Sequence, residues 1–268
     1  MSTSRRIAVS LLAVTVIGAT AAPVLGWSGG PLFDVTDLTP NCAACHSSVT
    51  KEQGRTEPAG IQNYYFLENR HYKAIEGGTG PYQAMSQEDR QKLLADVKLM
   101  DQNASVTLTV PATVKAGQDV QVTVTVKGGN EVVGVALVDT DLRLKARIIQ
   151  AHGWEIVGPP KVRGSDGAEQ TKWMDPRGPL TKNINSAVIF DQKADLAAKR
   201  FAAGTVTWTL KAPLKPGTYS MSAAFFYGTE KASPSGRVTV GPQVSPRGGT
   251  WGHSGRVMLA RPASITVQ

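Results

Sequence analysis

Cysteine is almost absent from this chain: 268 residues contain two, Cys42 and Cys45. They stand three apart, too close to close a useful loop, so no disulfide framework holds the fold and a hydrophobic core has to. Two thiols also cannot supply the four ligands of a structural zinc site, and no second paired cluster follows. Long apolar runs are missing after the first 26 residues, which excludes internal membrane-spanning helices. Basic residues interleaved with aromatics are missing too, and with them the usual signature of a nucleic-acid surface. Histidine occurs only four times, so each one carries information.

What is present begins with the N-terminal run MSTSRRIAVSLLAVTVIGATAAPVLG. Arg5 and Arg6 form a charged start, Ile7 to Gly18 an apolar centre, and Ala19-Thr20-Ala21 a small-residue cleavage site, so residues 1–26 read as a signal peptide. Left uncleaved, the same run would serve as an anchor, the one expected contact with a membrane. Ser-Arg-Arg is also compatible with the twin-arginine route. Either route leads out of the cytoplasm, to a periplasmic or extracellular location.

The two cysteines belong to Cys42-Ala43-Ala44-Cys45-His46. A thioredoxin-like redox pair sits in a βαβ pattern, which the preceding FDVTDLTPN lacks. A plain disulfide does not require His46. Covalent haem does: two thiols on one turn add to the two vinyl groups, and the adjacent imidazole lies under the iron. The motif resembles the attachment site of c-type cytochromes. That resemblance implies thioether links at Cys42 and Cys45, His46 as proximal axial ligand, and one haem c, since the motif occurs once.

Residues 27–103 carry the helical signals and are expected to form the haem segment. In IQNYYFLENRHYKAI, Tyr64, Leu67, His71 and Ile75 share one helical face, and Gly77 to Pro81 ends the helix. Ser86 and Asp89 are spaced like a capping box before a second helix with the apolar stripe Leu93, Leu94, Val97 and Met100. A loop and a helix in this order resemble class I cytochromes, but the Met-Pro pair of that class is missing. For the sixth iron ligand the spacing favours His71, which is 25 residues past His46 on the packed face. Met85, 39 residues past His46, is the alternative. Met100 is the weakest candidate, and His152 or His253 would follow.

From Ser105 the period becomes two. Val106, Leu108 and Val110 alternate with threonines, as do Val120, Val122, Val124 and Val126, then Val206, Trp208 and Leu210, then Tyr219, Met221, Ala223 and Phe225. One apolar and one wet face per strand predicts an antiparallel β-sandwich of seven to nine strands over 104–268, folding on its own. The fold class is therefore mixed: a small α-helical N-terminal segment followed by the sandwich. APLKPGTYSMS resembles the late-strand entry of bacterial fibronectin type III and immunoglobulin-like modules, with Tyr219 as corner. The arrangement is also similar to haem-bearing bacterial proteins with reelin-like domains. Leu142 to Leu196 is poorly periodic and predicts short strands and long loops.

The formal charge is +8, and its halves differ in sign: 27–103 holds 7 basic and 10 acidic residues, 104–268 holds 20 and 11. The basic part could steer an acidic redox partner. His152 and His253, with Met174, Met221 or Met258, are the residues a copper site would draw on, but no cysteine is left for a blue-copper set, and a second metal is not expected. The function expected is electron transfer by an exported monohaem carrier rather than an enzyme, with the sandwich as docking module. The alternatives are a haem enzyme or gas sensor with an open distal side, and a surface adhesion or structural module.

Overall fold

The computed structural model describes residues 72–139, 149–170, 185–191, 193–228, 237–240, 243–246 and 255–268. It opens on helical chain. Helix α1 (Ala74–Gly77) stops at Gly78, whose left-handed backbone (φ 63°) suits glycine and no β-carbon-bearing residue as well. A 3-10 turn at Gly80–Tyr82 leads to α2 (Gln87–Asn103). Ser86 caps α2: its hydroxyl oxygen accepts from the Asp89 N–H at 3.1 Å and the hydroxyl donates to the Asp89 carboxylate at 2.7 Å. The shorter side chain of Asp89 thus takes the cap hydroxyl, where a Glu would reach the cap N–H. Val97 and Met100 are fully buried and Leu93 and Leu94 half-buried, as the stripe predicts.

Beyond α2 the described chain is β. The strands are β1 (Ser105–Thr109), β2 (Thr113–Val114), β3 (Asp119–Lys127), β4 (Val132–Val138), β5 (Glu155–Ile156), β6 (Lys161–Arg163) and β7 (Ser186–Phe190). They continue as β8 (Ala203–Lys211), β9 (Gly217–Tyr227), β10 (Arg237–Val240), β11 (Gln243–Pro246), β12 (Arg256–Leu259) and β13 (Ala263–Val267). One sheet runs β1-β3-β8-β5, with β6 also on β8; the other runs β2-β13-β9-β4-β7, with β12 also on β9. Strands β10 and β11 pair only with each other among the described strands. The β13–β2 pair is parallel and the others are antiparallel. Thirteen described strands exceed the seven to nine expected because several are two or three residues long, too short for a period to register.

The sheets meet through one core. Val122, Val124, Val206, Trp208 and Leu210 come from the first, and Val133, Val135, Met221, Phe225 and Ile265 from the second. Strand β3 alternates as expected, and its wet face carries a Thr123–Thr207 hydroxyl contact of 2.9 Å to β8. The expectation of one wet face fails for β9. From Met221 to Tyr227 both faces are buried, and Ala224 and Phe226 join Ala136, Val138 and Val257 in a second apolar cluster. Small and aromatic residues in SAAFFY, with no charge among them, are what a strand covered on both sides requires. Tyr219 does form a corner: its hydroxyl donates to the Lys215 carbonyl at 2.7 Å, four residues upstream.

The aperiodic middle is held by side chains as well as by the ladders of β5, β6 and β7. The buried Asp191 carboxylate accepts from the Ser165 hydroxyl at 2.8 Å and from the N–H groups of Lys193 and Ala203 at 3.2 and 3.1 Å. Gln170 binds β7 in both directions, at the Phe190 N–H (2.8 Å) and the Val188 carbonyl (3.3 Å).

Trp208 lies at the centre of β8 with no exposed surface, so Trp208→Ala leaves a large void. We expect it to cost about 3–5 kcal/mol in urea unfolding of the full chain. A loss below about 1 kcal/mol would mean that the core can collapse around the deletion.

Candidate functional site

The motif residues Cys42, Cys45 and His46 and the candidate ligand His71 lie outside the described residues, as do His253 and Met174. The alternative ligand Met85 is described. It lies between the 3-10 turn and the Ser86 cap, half-buried against the core, and its carbonyl accepts from the Arg90 guanidinium at 2.9 Å. Met100 and Met221 are fully buried core residues. His152 turns its Nε2 to the buried Asp139 carboxylate at 2.8 Å while 40% of its side chain is exposed. Among the described residues no group of three or more His, Cys, Asp or Glu side chains could hold a metal.

What the structure does bring together begins one residue after His71. The Tyr72 hydroxyl donates to Asp101 Oδ2 at 2.6 Å, the Tyr227 hydroxyl donates to Asp101 Oδ1 at 2.7 Å, and Arg256 Nε donates to the same Oδ1 at 2.9 Å. Asp101 comes from the last turn of α2, Tyr227 from the end of β9 and Arg256 from the start of β12. The position of each follows from local structure. Asp101 is four residues past Val97 and one past Met100, on the helical side that faces the sandwich. Arg256 pairs in register with Tyr227 across β12–β9. Gly129 clears the approach, because a β-carbon there would come within 2.6 Å of Tyr227 Cβ, and its φ of +73° also favours glycine.

The Arg256 guanidinium is completely buried, and Asp101 nearly so at 12% exposure. The Tyr72 ring centroid is 5.9 Å from the guanidinium carbon and 5.5 Å from Lys98 Nζ. Burial, and then the Asp101 carboxylate, push the Tyr72 hydroxyl well above the ordinary phenol range. Burial likewise raises Tyr82 to about 12 against the opposing pull of Arg256. Burial works against the charge on Arg256, but Asp101 together with Tyr227 and Tyr72 outweighs it, and the guanidinium ionises even more firmly than usual. At neutral pH Arg256 is therefore a cation, and the Tyr72 and Tyr82 phenols are neutral. Two guanidinium nitrogens, Nη1 and Nη2, are buried with no hydrogen-bond partner. The sequence carried one usable sign of this cluster: an acidic residue at 101 continues the apolar side of α2, and a carboxylate there needs a partner. Nothing in GRVML marks Arg256 as buried.

No protein-family model matches the chain, and no curated protein matches it in sequence. Among solved structures, the N-terminal domain of an adhesin from Streptococcus gordonii overlaps at TM-score 0.34 and 11% identity, covering 63% of this chain and 33% of that one. The C-terminal domain of the Streptococcus agalactiae AgI/II polypeptide BspA overlaps at TM-score 0.31 and 12% identity, covering 61% and 50%. AvmM, described as catalysing macrocyclization in alchivemycin A biosynthesis, overlaps at TM-score 0.29 and 11% identity, covering 62% and 88%. The chain thus spans a third to a half of the two streptococcal chains. The two-sheet sandwich itself stands on the strand pairing described above.

Asp101→Ala leaves the Arg256 charge buried without its carboxylate, and we expect a loss of about 3–5 kcal/mol by denaturant unfolding. Tyr227→Phe removes one donor of three and should cost about 0.5–1.5 kcal/mol. Equal losses from the two variants would show that the carboxylate is not the centre of the cluster.

Proposed function

We propose that the chain is an exported carrier of one covalent haem c, acting in electron transfer, with the β-sandwich as the module that docks and steadies the haem segment. The observation that carries this reading is Cys42-Ala43-Ala44-Cys45-His46 behind an export signal, in a chain that spends its only cysteines there. Cys42 and Cys45 would hold the haem through thioether bonds and His46 would bind its iron, with His71, or failing it Met85, opposite. The haem supplies a one-electron couple; the tether keeps it from being lost outside the cell. The fit is supported by the buried, unpartnered nitrogens of Arg256 beside Tyr72, a donor set matched to a carboxylate such as a haem propionate. The basic excess of 104–268 would favour an acidic redox partner.

A second reading, a surface adhesion or structural module, is favoured by the sandwich: its core is closed by Val, Trp and Phe from two sheets and calls for no cofactor. Expression with haem-maturation machinery separates the two. The full chain should keep a haem mass increment under denaturing conditions, and Cys42→Ser/Cys45→Ser should lose it while retaining its β-type circular dichroism. A full chain without the increment returns the protein to the adhesion reading.

The iron's open or closed state is read by carbon monoxide. With a sixth ligand in place, reduced protein should bind it slowly or incompletely, and His71→Ala should become high-spin and open while Met85→Ala changes little. The reverse pattern moves the ligand to Met85, and fast complete binding by the wild type points to a gas-binding or enzymatic role.

A further inference from the structure

The Arg256 guanidinium has five N–H donors, and the described structure uses only one of them, Nε–H on Asp101. Its four η hydrogens are shielded from water and unpaired. Leaving them so carries the full desolvation penalty of charged donors, so each calls for an acceptor. Asp101 does not serve as that acceptor: it takes Tyr72, Tyr227 and Nε, and neither Nη reaches it. Lys98 and Arg256 both lie over the Tyr72 ring, and among the described residues Asp101 is the carboxylate hydrogen-bonded to Tyr72 and to Arg256.

We propose that Nη1 and Nη2 of Arg256 form a buried carboxylate-binding site, and that its occupant is a propionate of the attached haem. A carboxylate matches the paired η nitrogens in both charge and geometry, two parallel N–H···O bonds from one planar fork. Sequence order supports that choice: Tyr72, whose hydroxyl closes the Asp101 cluster, directly follows His71, the ligand proposed opposite His46. The identity of the occupant rests on the haem reading above; the site itself does not. A free carboxylate from solution would satisfy the same nitrogens, and the test separates the two sources.

The experiment compares the full chain with Arg256→Gln and Arg256→Lys, each in the haem-loaded form and on the Cys42→Ser/Cys45→Ser background. Thermal midpoints and the haem reduction potential are the readouts. Haem loading should raise the midpoint of the wild type, and that gain should vanish in Arg256→Gln. The potential should also fall in Arg256→Gln, because a cation near the haem disfavours the ferric state, and Arg256→Lys should restore much of it. A purely structural arginine would lower the loaded and haem-free midpoints equally and leave the potential alone; that result overturns the propionate assignment. If the wild type carries no haem, acetate and succinate are titrated against the haem-free chains. Protection of the arginine protein but not of Arg256→Gln would sustain a carboxylate site while removing the haem reading. Protection of both or of neither would overturn the site.

Discussion

The contact on which the described structure turns is the carboxylate of Asp101. It accepts hydrogen bonds from Tyr72 in the helical segment, from Tyr227 at the end of β9 and from Arg256 at the start of β12. The last two partners lie 126 and 155 residues away in sequence. One side chain therefore fixes α2 against the second sheet, and Val97 and Met100 of the same helix are buried in the core the sheets share. Burying such a charge pair brings little net stability, but breaking it is expensive, which makes the helix position specific rather than merely favourable.

That arrangement changes how the two halves relate. The expected boundary at 103/104 falls just after Asp101 and is spanned by the hydrogen bonds it makes and by the shared core. The helical residues furnish part of the packing that the sandwich uses. On the proposed reading, the sandwich would do more for the haem than hold a docking surface: its strand β12 would present the cation that meets the haem's acidic edge.

Much of this was legible in the sequence where a period exists. The alternating valines of 119–127 and the Val206-Trp208-Leu210 series formed the two central strands of one sheet, and Ser86 and the Leu93–Met100 stripe placed α2. Tyr219 could be placed because a corner tyrosine has a local sequence context. The two-sided burial of β9 was legible only in hindsight, in the uncharged SAAFFY run. The short strands β5 and β6 gave no signal, since two or three residues cannot show alternation. Of the candidate site, Cys42, Cys45 and His46 form a local motif and needed no tertiary information. The Asp101–Arg256 pair is the opposite case: its partners are far apart in sequence, and nothing near Arg256 distinguishes it from a surface arginine.

The central claim is that α2 and the sandwich form one cooperative body held by Asp101. Native-state hydrogen exchange measures this directly, through the opening free energies of the Val97 and Met100 amides in α2 and of the Val206 and Trp208 amides in β8. The account predicts a common opening event, with the two sets sharing one free energy and one dependence on denaturant. Helix amides that exchange through a separate opening at much lower free energy, while β8 stays protected, would contradict it.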